Sequence, residues 1–130
     1  MNPYFQEVLD AHVLIARWLG EADAPDALFA QLMARFSADF GMVSPGGKTL
    51  SRTGLEAFFM AHRGARPGLD IEIIDMQQLS VSEKGAAVAY RERQRVPGQA
   101  PTLRCSVAVF ECSDGGAVAW RYLQETLVSQ

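Results

Sequence analysis

The sequence has little of what disulfide-stabilised, metal-binding and membrane proteins need. Its 130 residues include two cysteines, Cys105 and Cys112, with no CxxC pair, and only two histidines. We expect two reduced thiols and no metal site. No apolar run approaches the length of a membrane helix, and the first residues, MNPYFQEV, lack the basic and apolar regions of a secretory signal. We therefore expect a cytoplasmic protein without a membrane partner.

An excess of basic residues is also missing. Twelve Lys and Arg face fifteen Asp and Glu, which gives a net charge of −3 and a pI near 5.3. Proteins that bind a phosphate backbone carry the opposite balance, so we predict no nucleic-acid partner. No cofactor is predicted. The 48% hydrophobic content is enough for a core, and no repeat or linker divides the chain, so a single domain is expected over 1–130.

Helix signals occupy the first half of the chain. Asn2 and Pro3 predict a helix over 3–19, in which His12 and apolar residues that include Leu9 recur at helical spacing and form a buried stripe. A second helix is predicted from near Pro25 to near Arg35, with Asp23 as its cap. The segment 36–43 is predicted as a strand and SPGG at 44–47 as a turn. Ser51 or Thr53 can cap a third helix, which Gly64, Pro67 and Gly68 would end.

From Leu69 onward, the pattern changes to the alternation of strands. Four segments, LDIEIIDMQQLSVS, AAVAYRERQRV, TLRCSVAVFEC and AVAWRYLQETLV, are separated by the short connections EKG, PGQAP and SDGG. Short connections make neighbouring strands antiparallel, and no second group of helices follows to cover a parallel sheet. The predicted fold class is α+β.

This order of elements resembles the cone-shaped nuclear transport factor two-like superfamily, and in detail its SnoaL-like branch. The pieces that carry the resemblance are ADFGMVSPGG at 38–47, SRTGLEAFF at 51–59 and AWRYLQET at 119–126. The resemblance implies three N-terminal helices packed on a strongly bent, mainly antiparallel sheet, which wraps around the first helix and encloses a pocket. Such pockets serve enzymes, binding modules and assembly domains, so the fold alone does not give a function.

One position departs from the ketosteroid isomerases of that superfamily. They place a general-base Asp immediately before the proline of the first-strand turn, where this chain has Ser44 before Pro45. A serine without an adjacent base is a poor proton acceptor, which argues against that chemistry. Asp39 lies five residues earlier and would project from the opposite strand face, so it is not assigned as a catalyst.

Alternation divides the long strands into two faces. If one face is shared by Tyr90, Arg104 and Trp120, the interior combines apolar residues with a few polar ones, as expected of a small-molecule pocket. The predicted ligand-binding residues are Tyr90, Gln94, Arg104, Ser106, Tyr122 and Gln124. Arg104 could grip an acidic group of the ligand with two hydrogen bonds, or it could form a structural ion pair with Glu92 on the neighbouring strand.

Proton transfer between His12 and Glu92 is the candidate chemistry. His12 lies on the apolar stripe of the first helix, where it could also be a satisfied core histidine. Trp120 and Tyr122 could belong to the core, His62 is expected at the surface, and Arg91, Arg93 and Arg95 are expected on a solvated or interface face.

Three functions remain open from the sequence. The first is a homodimer that binds a small, partly apolar molecule, with an acidic group suiting Arg104. The second is a lyase, isomerase or hydrolase that uses His12 and Glu92, and the third is a dimeric interaction domain with a filled pocket. Dimerisation is predicted through the outer sheet face, with Arg91 and Arg93 near Glu125 at its rim. The apolar residues assigned to that face are Leu103, Val107, Val109, Leu123 and Leu127.

Overall fold

The computed structural model describes residues 2–129 and contains three helices and one six-stranded sheet. In chain order the elements are α1 (Pro3–Gly20), α2 (Asp26–Met33), β1 (Phe36–Val43), β2 (Thr49–Ser51), α3 (Arg52–Ala61), β3 (Asp70–Ser82), β4 (Gly85–Arg95), β5 (Thr102–Cys112) and β6 (Val118–Leu127). The sheet order is β2-β1-β6-β5-β4-β3. Only β1 and β6 pair in parallel, which confirms an α+β fold with a mainly antiparallel sheet.

The helix ends follow the capping signals with one exception. The Asn2 side chain accepts hydrogen bonds from the backbone N–H groups of Tyr4 and Phe5, and Ser51 accepts one from Gly54. These bonds satisfy N–H groups that a helix start leaves without partners. The predicted Asp23 cap of α2 is wrong, because Pro25 occupies that position and makes no side-chain bond. Strand β2 was not predicted, since three residues are too few to show alternation. No helix within 2–129 could span a membrane.

Helix α1 packs across the concave face of the sheet. Its buried side chains include Tyr4, Val8, Ala11 and His12. The predicted stripe also placed Leu9 inward, whereas Leu9 is 36% exposed. The buried face is therefore rotated by about one residue at its N-terminal end, while His12 lies on it as predicted.

The strand β6 contains a bulge that reverses its predicted faces. Phe110 pairs with Trp120 and Val109 pairs with Tyr122, so Arg121 is an extra residue with no partner on β5. Beyond an extra residue, alternation continues with the opposite parity. The prediction that Tyr122 and Gln124 share the inner face with Trp120 is therefore wrong.

The residues that take the inner positions are Leu123 and Glu125, which are 8% and 7% exposed. Both had been assigned to the outer face, as had Leu127, which lies two residues further along the same inner side of β6. Val107 and Val109 alternate with buried neighbours on β5, and Leu103 has the same parity, so all three remain on the outer face.

The far edge of the sheet bends at Asp75. This residue has a φ of 56°, and the pairing of β3 with β4 shifts between Ile74 and Gln77. A left-handed backbone position within a bulge turns the strand sharply. The bend creates a groove of about 680 Å³ on the outer face, with Asp75 at one side and Ala89, Cys105 and Val107 among its lining residues.

Candidate functional site

A cavity of about 320 Å³ lies between α1, α3, the β1–β2 turn and the concave face of the sheet. Most of its wall is apolar, and one end is polar. The apolar lining consists of Ile15, Leu19, Phe36, Met42, Pro45, Leu50, Leu55, Phe58, Phe59 and Leu123, and the polar lining of His12, Ser44, Arg66, Glu92, Gln94, Arg104 and Glu125. Apolar walls with a few fixed polar groups are typical of small-molecule sites.

The structure brings most of the predicted site residues together. His12, Glu92, Gln94 and Arg104 line the cavity. Tyr90 and Ser106 are buried on the same inner sheet face, at 2% and 3% exposure. The β6 bulge removes the remaining two predicted ligand-binding residues from this group, since both lie on the outer face.

His12 and Glu92 form a buried ion pair. His12 Nε2 lies 3.1 Å from Glu92 Oε1, and His12 Nδ1 lies 2.7 Å from the carbonyl oxygen of Val8. Burial alone would lower the pKa of His12, but the charge and hydrogen bond of Glu92 outweigh it, so the pKa is raised. Burial opposes ionisation of Glu92, yet His12, Arg104 and Gln94 together lower its pKa to about 2. Both shifts favour the charged form of the pair.

A chain of hydrogen bonds extends from this pair to Arg66. Gln94 Nε2 donates to Glu92 Oε2 at 2.5 Å, and Arg66 donates to the side-chain oxygen of Gln94. The loop that carries Arg66 is fixed to the end of α1, where the Arg66 N–H donates to the carbonyl of Leu19. Arg66 was not predicted as a site residue, because a residue in a turn has no alternation that assigns the direction of its side chain.

Arg104 contacts Glu125 rather than Glu92. Arg104 and Glu92 are direct neighbours across β4 and β5, but Arg104 Nη1 lies 3.4 Å and 3.5 Å from the two carboxylate oxygens of Glu125. Burial and then the nearby Glu92 raise the pKa of Glu125, although Arg104 opposes this. The Glu92–Arg104 ion pair, one of the two alternatives for Arg104, is thus replaced by two other pairs, and Glu125 was missed because of the bulge.

Three buried polar atoms beside the cavity have no hydrogen-bond partner within the part of the chain that the structure describes. They are the hydroxyl oxygens of Tyr90 and Ser106 and the Nε of Arg104. Buried polar groups normally have partners. Of these residues Arg104 lines the cavity, so its Nε can donate a hydrogen bond to a molecule bound at the polar end.

Ser44 lies at the cavity but carries no activating base. Its hydroxyl accepts a hydrogen bond from the backbone N–H of Lys48, and no side-chain base contacts it among residues 2–129. The same residues contain no group of three His, Cys, Asp or Glu side chains that could hold a metal ion. The chemically active groups are therefore those at the polar end.

Comparison with known proteins shows similarity to solved structures. No protein-family model and no curated protein matches the chain. Among solved structures, it is similar to an NTF2-like protein of unknown function from Pseudomonas aeruginosa, with 40% sequence identity over 97% of this chain and 98% of that one and a TM-score of 0.92.

More distant structures share the fold. An NTF2-like protein from Cytophaga hutchinsonii is 14% identical over 98% of this chain and all of that one, with a TM-score of 0.71. A ketosteroid isomerase-like protein from Erwinia carotovora is also 14% identical over the full length of both chains, with a TM-score of 0.63. At this identity the similarity concerns the fold alone.

Proposed function

We propose that this chain, which belongs to the nuclear transport factor two-like family, binds a small, partly apolar molecule in the cavity beneath α1. The observation that carries the proposal is the cavity itself, about 320 Å³ in volume, with an apolar wall and one polar end. This volume lies within the range of ligand sites, which begins at about 300 Å³. An open cavity also favours a binding protein over an interaction domain with a filled pocket.

An acidic group on the ligand fits the charges at the polar end. With His12 protonated, three cationic side chains, His12, Arg66 and Arg104, face two carboxylates, Glu92 and Glu125. The contacts between Arg104 and Glu125 are long, and Arg104 Nε has no partner within residues 2–129. A guanidinium in this state can bind a carboxylate of the ligand.

The test is calorimetry with a panel of small aromatic and aliphatic carboxylates, chosen after native mass spectrometry of the purified protein. Arg104→Leu should weaken binding of the best acid by about 1.5–3 kcal/mol, the contribution of a hydrogen bond to a charged group. Arg93→Leu is the matched control, because Arg93 pairs with Glu72 away from the cavity. Equal affinity in the parent and Arg104→Leu would remove Arg104 from the site.

A second candidate function is proton-transfer catalysis, as in a lyase, isomerase or hydrolase. It is favoured by the buried His12–Glu92 pair, which holds ionised groups beside an apolar cavity. Perturbed pKa values in a cavity are typical of acid–base sites. On any substrate found, His12→Gln should lose activity, because His12 holds the charges of the polar end in place, and Ser44→Ala should keep it. The reverse result would reassign the chemistry to Ser44.

We further propose that the protein is a cytoplasmic homodimer. The two free thiols suit a reducing compartment. The outer face of β5 presents Val107 and Val109, and the exposed side chains of Arg91 and Asp75 lie on the same groove. A two-fold axis that passes between Arg91 and Asp75 would place Arg91 of each copy near Asp75 of the other, because an isologous interface uses the same patch on both copies.

Sedimentation tests the dimer. Val107→Asp places a charge without a partner at the proposed centre, where its burial would be unfavourable. The parent should sediment as a dimer and the variant as a folded monomer. A parent that remains monomeric at micromolar concentration would contradict the proposal.

A further inference from the structure

His12 has no lone pair available for a substrate. Its Nδ1 faces the carbonyl oxygen of Val8, and its Nε2 faces the carboxylate of Glu92. A carbonyl and an ionised carboxylate can only accept hydrogen bonds, so both ring nitrogens carry a proton. An imidazolium whose two N–H groups are both engaged cannot accept a proton from a bound molecule.

Glu92 is also unsuited to act as a base. Its two oxygens accept hydrogen bonds from His12 and from Gln94, at 3.1 Å and 2.5 Å. These interactions hold its pKa near 2, so the carboxylate has little affinity for a further proton. The His12–Glu92 pair therefore fixes charge at the polar end without exchanging a proton with the cavity.

Glu125 differs from Glu92 in its hydrogen bonds and in the direction of its pKa shift. It lines the same cavity and is 7% exposed, yet its only hydrogen-bond donor among residues 2–129 is Arg104, at 3.4 and 3.5 Å. Glu92 and Tyr90 face it from β4, Arg104 and Ser106 from β5, and His12 from α1. Burial and the charge of Glu92 raise the pKa of Glu125, which makes its carboxylate the stronger base.

We propose that Glu125 is the catalytic base of this cavity and removes a proton from an acidic C–H bond of a small apolar molecule. The proton moves to a carboxylate oxygen of Glu125, which becomes neutral. The electron pair of the C–H bond stays with the substrate, where the buried N–H of Arg104 can stabilise the negative charge that develops. The inference rests on the proposed binding of small molecules in this cavity.

The probe for this step is nitrobenzisoxazole, a small planar molecule with one acidic C–H bond. A carboxylate base takes that proton, the C–H electron pair forms the nitrile, and the ring N–O bond breaks to release a coloured phenolate. No other reactant is needed. Turnover is followed by the absorbance of the phenolate, and binding is measured separately by calorimetry with the probe's non-reactive analogue nitroindazole.

The parent should bind the analogue and turn over the probe, with a rate that rises with pH as Glu125 ionises. Glu125→Gln should bind the analogue equally and lose at least about 100-fold in turnover, the lower range of general-base catalysis. The control is Glu111→Gln, which removes an exposed carboxylate of β5 that pairs with Arg121 and should leave turnover unchanged.

A second variant separates chemistry from structure. Glu125→Ala leaves space for a carboxylate, so added formate should restore part of its turnover, which a merely structural role would not allow. Binding of the analogue with equal turnover in the parent and Glu125→Gln would overturn the inference and leave the binding proposal intact. Failure of the parent to bind the analogue, together with all carboxylates of the panel, would overturn both.

Discussion

The two ends of the concave sheet face are built from the same helix and the same strands but have opposite compositions. At the closed end, Tyr4 and Val8 of α1 pack against inner residues of the sheet such as Val88, Phe110 and Trp120, which are at most 2% exposed. At the open end, the same three strands β4, β5 and β6 present Glu92, Arg104 and Glu125, and the helix presents His12. The composition changes along each strand, from apolar to charged.

The closed end of the concave face stabilises the fold, whereas the open end carries the candidate functional groups. The closed end is filled by aromatic rings, and the half-buried carboxylate of Glu7 accepts hydrogen bonds there from Arg35 and from the indole of Trp120. Dense apolar packing stabilises a fold, whereas buried charges contribute little net stability. The open end instead holds five charged groups around an incompletely filled cavity, an arrangement suited to binding and catalysis.

Truncation at the closed end should have the largest effect on stability. Trp120→Ala removes the most deeply packed aromatic side chain and leaves a cavity, so we expect a loss of about 4–5 kcal/mol in the free energy of unfolding. Phe58→Ala, at the cavity and 40% exposed, should lose less than about 1 kcal/mol. Urea denaturation measures both. Similar losses in the two variants would mean that the ends do not differ in their contribution to folding.

Removing one partner of the buried His12–Glu92 pair should destabilise the protein, whereas the intact pair should contribute little net stability. His12→Leu leaves Glu92 charged and without its partner, which should destabilise the protein by about 3 kcal/mol. Adding Glu92→Leu removes the remaining charge and should recover much of that loss. A double variant less stable than His12→Leu would show that this pair contributes to folding in its own right.

The pH dependence of stability follows from the same pair and from Glu125. Glu92 has a folded pKa of about 2 against 4.5 in the unfolded chain, so its contribution is present above pH 4.5 and is lost as pH falls toward 2. This loss should reach about 3 kcal/mol. The pKa of His12 is raised above 6.5, so its contribution is present below pH 6.5 and is lost as pH rises through its folded pKa.

Glu125 acts in the opposite sense to Glu92. Its folded pKa is raised above 4.5, so its neutral form favours folding at low pH, and this contribution is lost as pH rises through the folded value. In Glu125→Gln, the stability should therefore stay level above pH 4.5 until His12 begins to lose its proton. An unchanged pH profile in this variant, measured by urea denaturation, would contradict the raised pKa.

Much of the open end could be predicted from the sequence, because alternation along β4 and β5 correctly grouped Glu92, Gln94, Arg104 and Ser106 on the inner face. The same reasoning failed on β6, since a bulge depends on how the strand pairs and not on its own pattern. One signal was present in the sequence. Strict alternation from Trp120 placed the apolar residue Leu123 on the outer face. Trp120 and Leu123 lie three positions apart, so both can face the core only if the strand contains an extra residue between them.

Two neighbouring residues on β6 give the smallest predicted effect and the sharpest test of the bulge. Tyr122 lies on the outer face, where its hydroxyl donates to Gln124 Oε1 at 2.6 Å, while Leu123 lines the cavity. Tyr122→Phe should therefore leave the affinity for nitroindazole unchanged, and Leu123→Ala should weaken it by enlarging the cavity. Without the bulge, Tyr122→Phe would weaken the affinity and Leu123→Ala would leave it unchanged, because Tyr122 would then face the ligand. Calorimetry on this pair thus tests the parity of β6 that places Glu125 at the cavity.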